Sequence, residues 1–339
     1  MTVRRVLFVG AVLSAILLVV VAIGIGQGIR QIEQTPLSET DRPPITVPSG
    51  ASFATVTSML ADRGLIDHPL ALQVYARWQG VAARIQAGEY AITAGLTAAG
   101  LIQRMVNGDV MRYRLTIIEG WRVDELLGAI RRHPAIDHTL PADADHASVM
   151  AAIGRPNDAA EGRFLPETYR FPRGTSDVTL LRRANRNLES TLASIWAERA
   201  DDLPLADADE ALTLASIIEK ETGQAGERRR IAGVFVRRLK RGMRLQTDPT
   251  VIYGLGERFD GDLLSRHLRD DTPYNTYTRH GLPPTPIALP GRAAIEAAVD
   301  PAAGDSLYFV SRGDGSHVFS TTLEAHNRAV RRYQLGEGE

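Results

Sequence analysis

Glu219 and Glu221 end a stretch of chain that is otherwise almost free of charge. Residues 211–218 are apolar residues, alanines and small hydroxyl residues. As a helix this stretch is hydrophobic on nearly every side, which is the pattern of a buried helix. Ser216, Glu219 and Thr222 share one face at i, i+3 spacing, whereas Glu221 points elsewhere. A carboxyl at this end meets the negative pole of the helix macrodipole. Partial burial of Glu219 against Ile218 adds a desolvation cost, and both effects disfavour the anion. Such a group can hold its proton near neutral pH, as a general acid must. The open alternative is that Glu219, Lys220 and Glu221 merely solvate a helix end stopped by Gly223.

Two polar segments follow. Gln246, Thr247 and Asp248 approach a helix start, and Thr272, Pro273, Tyr274, Asn275, Thr276, Tyr277 and Thr278 form a loop that Pro283 and Pro284 stiffen. Amide, carboxylate, hydroxyl and aromatic groups crowded together suit a polysaccharide cleft, where sugar rings stack and hydroxyls are gripped. Gln246, Asp248, Asn275 and Tyr277 are the candidates for orienting sugar and acid. Each has a structural alternative, strongest for Asp248, which suits the N-cap of a helix with Pro249 at its first position. His317 and His326 lack metallopeptidase spacing, and no other His, Asp or Glu group has clear metal-ligand spacing, so no metal is expected. No cofactor is expected either. Pyridoxal phosphate would need Lys220 or Lys240, the two lysines of the chain, and no Gly-rich phosphate loop follows either.

The elements that must position these groups read as α+β. Leu180, Leu181, Ala184, Leu188, Leu192, Ile195 and Trp196 form the apolar stripe of an amphipathic helix. Residues 228–240 predict another helix with Ile231, Val234, Phe235 and Leu239 inward, ended by Gly242. Residues 147–153 predict a short helix, and residues 166–175 read as a loop. Upstream, Gly50, Gly95 and Gly120 each precede a helical pattern, with apolar pairs six and ten residues on: Val56 and Leu60, Leu101 and Met105, Leu126 and Ile130. Ser52 and Thr97 stand where N-caps would serve. Residues 89–93 and 113–118 pattern as strands before two of the glycines. A βααβ module over about residues 46–109 and a third copy opening the next domain is one reading; chance recurrence of strand–turn–helix units is the other.

Residues 6–26 are an apolar run interrupted only by Ser14, and as a helix would rise about 31 Å, enough to cross a hydrocarbon core. Arg4 and Arg5 precede it, which puts the N-terminus in the cytoplasm. No A-x-A cleavage triplet follows, against a cleaved signal peptide. Pro36, Pro43 and Pro44 make residues 32–46 a polar, extended stalk. The organisation expected is therefore a cytoplasmic tail (1–5), transmembrane anchor (6–26), linker (27–45), small module (46–111) and α+β catalytic domain (112–335). The 339 residues carry 39 Lys plus Arg against 40 Asp plus Glu, which excludes a chain-wide nucleic-acid footprint. With no cysteine, disulfides, thiolate metal sites and a lipidated N-terminal cysteine are all excluded.

At these same residues the chain resembles the YceG-like family of endolytic murein transglycosylases. The resemblance rests on residues 214–222 around Glu219, residues 244–254, Tyr274 to Tyr277, Gly281 to Pro284, His317 to Ser320, His326 with Asn327, Glu119 to Trp121, and residues 161–169. Glu167 stands where the family more often has Asp. The resemblance covers essentially the whole chain. It implies a LysM-like module before the catalytic domain and Glu219 as catalytic acid. It further implies cleavage of the MurNAc–GlcNAc β-1,4 bond of nascent strands to leave 1,6-anhydro-MurNAc ends, terminating elongation. The protein would be anchored in the inner membrane with its catalytic domain in the periplasm. Expected partners are peptidoglycan glycan strands and peptidoglycan synthases, with no nucleic acid. The competing reading is a non-catalytic peptidoglycan-binding scaffold at the inner membrane.

Overall fold

A computed structural model describes residues 3–336 of the chain; Met1 and Thr2 of the expected cytoplasmic tail lie outside the described residues. The chain divides into two compact units, one reaching to Tyr113 and including Phe171–Arg173, the other formed by Arg114–Arg170 and the chain from Gly174 onward.

The first unit begins with α1 (Val3–Gln34), followed by β1 (Arg42–Val47), α2 (Phe53–Asp62), α3 (Pro69–Trp78), β2 (Gly88–Ile92) and α4 (Ala98–Asn107). β1 and β2 pair antiparallel, with a register irregularity between Arg42 and Ile45 where the two prolines withhold their N–H groups. Ile45, Val47, Tyr90 and Ile92 turn inward against Val56, Leu60, Leu72, Leu101 and Met105. The expected stalk is largely structured. No breaker precedes Pro36, so the helix runs on to Gln34; the Leu37 N–H then donates to the Leu96 carbonyl at 2.7 Å, and β1 starts at Arg42.

The strand, glycine turn and capped helix recur as read. Gly50, Gly95 and Gly120 have φ of 76°, 77° and 78°, a left-handed turn that glycine adopts without a Cβ penalty. Two residues later stands each helix's N-cap, and the helix begins at the third. Ser52 Oγ accepts the Thr55 N–H and Thr97 Oγ1 accepts the Gly100 N–H, both at 3.1 Å. In the third copy, Glu125 reaches back to accept the Arg122 N–H at 2.8 Å. All six apolar residues of the pattern are buried.

The second unit opens with β3 (Arg112–Thr116), whose first residues belong to the first unit, then α5 (Val123–Arg131), β4 (Ile136–Asp137), α6 (His146–Ile153), β5 (Thr168–Pro172), β6 (Thr175–Ser176) and α7 (Asp177–Ala197). It continues through α8 (Ala208–Glu221), α9 (Arg228–Lys240), α10 (Asp248–Leu255), α11 (Arg292–Val299), the hairpin β7 (Tyr308–Ser311) and β8 (His317–Ser320), and α12 (Leu323–Tyr333). Where a loop was expected over residues 166–175, β5 forms instead, because Tyr169 and Phe171 alternate inward and drive the backbone extended. The main core gathers α7, α9 and α11 around α8. Every residue of α8 from Ala211 to Ile218 is buried.

Ser216 lies inside this helix, fully buried. Its hydroxyl donates to the Thr213 carbonyl at 2.7 Å and accepts the Ile287 N–H at 2.9 Å, tying the irregular segment before α11 to the central helix. Removing it strands a buried N–H. A Ser216→Ala variant is expected to lose about 1–3 kcal/mol of stability, read as a lowered unfolding midpoint in denaturant, with helix content unchanged.

Candidate active site

The last turn of α8 sends three charged side chains to three different places. Glu219 is nearly buried, its side chain 6% exposed. Its Oε2 accepts the N–H of Gly291, the N-cap of α11, at 3.0 Å, and Arg228 lies 3.6 Å from its other oxygen. Arg228 also stands 3.7 Å from Glu119. Burial raises the Glu219 carboxyl above its ordinary range; the Gly291 N–H opposes this, Glu119 reinforces it and Arg228 opposes it. A Cβ at Gly291 would meet the Glu119 carboxylate, the far end of a flexible side chain, which would have to move aside. Lys220 reaches the Gly120 carbonyl at 3.3 Å.

Glu221 ends the helix and meets a different set of groups. Thr247 Oγ1 donates to its Oε1. Burial pushes this carboxyl up to about 7, Thr247 moderates the shift, and nearby Asp248 adds to it. Thr247 is itself held from behind, its N–H donating to Thr276 Oγ1 at 3.1 Å. Gln246 has φ of 52°, the one left-handed non-glycine among the described residues. Such a conformation costs about 1–3 kcal/mol and persists only where its surroundings enforce it. Here its N–H donates to the Thr276 carbonyl at 3.1 Å, and buried Arg238 staples the same turn, donating to the carbonyls of Leu245 at 2.9 Å and Leu307 at 2.7 Å.

Asp248 is the first residue of α10 rather than its cap; Thr247 occupies the N-cap position. The Asp248 carboxylate instead accepts the phenol of Tyr277 at 2.6 Å. Burial and Asp248 both raise the Tyr277 pKa, so the phenol keeps its proton. Asn275 is 1% exposed, and its amide is fully committed: Nδ2 donates to the carbonyls of His267, Leu268 and Asp270, and Oδ1 accepts the Tyr277 N–H at 2.8 Å. Asn275 therefore shapes the loop that carries Tyr277.

Glu221, Gln246, Thr247, Asp248 and Tyr277 line a cavity of about 490 Å³ that is also lined by Tyr308, His317, His326 and Asn327. Glu219 is not among its lining residues. The four expected substrate-contacting residues thus gather around Glu221: three on the cavity wall and Asn275 behind it. His317 is held by Glu227, through Nδ1 at 2.7 Å and its N–H at 3.1 Å. His326 stacks on Tyr308 with ring centres 5.3 Å apart, and its Nδ1 is buried without a partner. Burial and Arg238 lower the His326 pKa, favouring a neutral ring. Among the described residues, no three His, Asp or Glu side chains form a metal-binding group. Glu161 is a second buried acid pushed up to about 7 by burial, held outside this cavity by the Val123 N–H and the Tyr253 phenol.

The cavity therefore offers one carboxyl able to carry a proton near neutrality, a carboxylate–phenol pair, and aromatic and imidazole groups in its lining. Glu221 points away from the Glu219 face, as the helical spacing predicts, and its side of the helix end meets this cavity. The readable signal was position: Glu221 is nearest the helix terminus and the polar segment that folds back over it.

The YceG-like family matches residues 45–332 of the chain. A protein of Bacillus subtilis strain 168 named endolytic murein transglycosylase is 31% identical over 316 residues, 87% of this chain and 86% of that protein. A protein of the same name from Streptococcus pneumoniae strain D39 is 26% identical over 84% of this chain; the chain spans 57% of that longer protein. Among solved structures, a YceG-like protein from Listeria monocytogenes superimposes with a TM-score of 0.51 at 28% identity, covering 86% of this chain and all of that one. A match over most of both units, reproduced in sequence and in fold, makes this chain a member of the YceG-like family.

Proposed function

We propose that the protein is an endolytic lytic transglycosylase of murein, cleaving the β-1,4 bond between MurNAc and GlcNAc within glycan strands, with Glu221 as its acid. The observation that carries this reading is Glu221 itself. Its carboxyl, pushed up to about 7, faces a cavity that also holds the Asp248–Tyr277 pair. The names of the relatives support the substrate class. Glu219, the acid expected from the sequence, has its oxygens engaged by the Gly291 N–H and Arg228 and serves in this reading to hold α11 against α8.

One carboxyl suffices for this chemistry. Ordinary glycosidases flank the bond with two, about 5–5.5 Å or 6.5–9.5 Å apart. Here protonated Glu221 gives its proton to the bridging oxygen, and the C1–O bond breaks. The resulting carboxylate takes the proton of the muramyl C6 hydroxyl, whose oxygen closes on C1 to give a 1,6-anhydro end. The internal nucleophile supplies the proximity that a positioned water would otherwise need. The N-acetyl group assists at C1, as in substrate-assisted glycosidases. Gln246, Asp248 and Tyr277 orient sugar and acid, and Asn275 acts through the Tyr277 backbone.

The antiparallel β1–β2 pair flanking α2 and α3 supports a LysM-like, glycan-binding reading of that module. Within α1, residues 16–34 are long and apolar enough to cross a membrane. With Arg4 and Arg5 before it, this supports a single-pass inner-membrane anchor, cytoplasmic N-terminus and periplasmic catalytic domain. That address would set the enzyme beside growing strands and the synthases that make them, where its cuts end elongation.

Digestion of purified glycan strands followed by mass spectrometry tests the reaction: anhydro ends lack the water that hydrolysed ends contain. Glu221→Gln is expected to lower release of anhydro ends by about 10²-fold or more, while Glu219→Gln retains measurable activity. Activity lost only in Glu219→Gln would return the acid to Glu219. Undiminished activity in both would place the acid elsewhere, and no anhydro ends from the parent itself would leave a binding scaffold.

The pH dependence follows from the direction of the shift. The acid must be protonated, so turnover is expected to fall as pH rises through about 7. The same raised pKa means the folded state binds this proton more tightly than the unfolded one, so its contribution to stability is lost as pH rises through about 7. Glu221→Gln is therefore expected to unfold at higher temperature than the parent at pH 8, with the gap closing below the ordinary carboxyl range. A thermal-unfolding series across pH checks this.

A further inference from the structure

α3 is amphipathic in an unusual sense: both of its faces are apolar. Leu72 and Ala76 are buried in the first unit's core. On the other side, Leu70, Val74 and Trp78 follow each other at i, i+4 spacing and are 73%, 64% and 70% exposed. Beyond α1, these account for most of the large apolar side chains this unit leaves in solvent, and they form one stripe. Arg77 borders it on one side and Ala71 on the other by helical position.

What lies beside that stripe is α1. The Tyr75 phenol donates to Glu33 of α1 at 3.0 Å. A gap of about 240 Å³ is lined by Gly28, Gln31 and Ile32 of α1 and by His68, Ala71 and Leu72 at the start of α3. Gly28 stands two residues past the end of the apolar run at Gly26, a rise of about 3 Å. The headgroup layer on each side of a bilayer is about 5–8 Å deep. The start of α3, which shares that gap with Gly28, is therefore at headgroup depth once α1 spans the membrane. The Glu33–Tyr75 bond, seven residues past Gly26, lies about 10 Å out, just beyond that layer.

We propose that α3 is a membrane-surface contact: the Leu70–Val74–Trp78 stripe sits in the interfacial layer of the bilayer that α1 crosses. This rests on the anchor reading of α1. The chemistry of the stripe fits the occupant. Tryptophan favours the interface, with its ring among the headgroups; leucine and valine reach the acyl boundary; Arg77 extends its charged head to lipid phosphates. The contact, together with the Glu33–Tyr75 bond, fixes the angle at which the module leaves the membrane instead of leaving it to swing on its anchor.

The absence of cysteine makes the test clean. Leu70→Cys, Val74→Cys and Trp78→Cys variants of the full chain, each carrying an environment-sensitive fluorophore, are reconstituted into vesicles of phosphatidylethanolamine and phosphatidylglycerol. Vesicle flotation reports the anchor; quenching by shallow doxyl-labelled lipid against aqueous iodide reports α3. The expected result is quenching by doxyl lipid with iodide quenching reduced about twofold or more relative to the same protein in denaturant. Protein that floats while its labels answer to iodide alone overturns the membrane contact but leaves the anchor standing. Protein that does not float overturns the anchor and this contact with it. Protection from iodide that grows with protein density, without doxyl quenching, overturns the proposal in favour of a second copy on the stripe.

Discussion

A helix that is apolar on all sides must run through the middle of a protein and must shed its charges where it ends. α8 obeys both demands: eight consecutive buried residues, then Glu219, Lys220 and Glu221 within one turn. The end of the helix is also the negative end of its dipole, and it lies in a poorly solvated interior. A carboxyl placed there resists ionisation. The rest of the catalytic unit exists in large part to surround this helix with α7, α9 and α11 and to close polar loops over its last turn.

Those loops hold conformations that local preference alone would not select. Gln246 is left-handed without being glycine, and the turn around it is held by the buried guanidinium of Arg238 and by Thr276. Asn275 spends every hydrogen bond of its side chain on backbone groups of the loop that presents Tyr277. The groups facing the cavity are thus fixed by buried polar contacts behind them. This preorganisation lets a cleft orient a sugar and an acid without paying for loop ordering during each encounter.

The two glutamates of one helical turn show how environment separates like residues. Glu219 faces an N–H at the start of α11 and an arginine, which partly offset its burial. Glu221 has one hydroxyl donor, with nearby Asp248 reinforcing the effect of burial and Arg238 opposing it. The same residue type, two positions apart, meets a backbone N–H and an arginine in one case and a threonine hydroxyl at a cavity wall in the other.

Composition and periodicity alone were enough to determine the α+β class, the apolar N-terminal helix, the buried helix ending in acids, the amphipathic helix carrying the Leu180–Trp196 stripe, the helix over residues 228–240, and the three glycine turns with caps at Ser52 and Thr97. These are local properties: apolar spacing, caps and left-handed glycines act within a few residues. The strand at Thr168–Pro172 and the run of α1 through the expected stalk were misjudged, because proline and polarity count for less than a partner strand or an unbroken helix. Which glutamate meets the cavity was a tertiary decision. Gln246, Asp248 and Tyr277 are separated from Glu221 by twenty-five residues or more, and only the packing of α9 and the closing loops determines which side of the helix end they cover. Helical phase gives the direction of a side chain; what it meets there depends on parts of the chain that no local pattern describes.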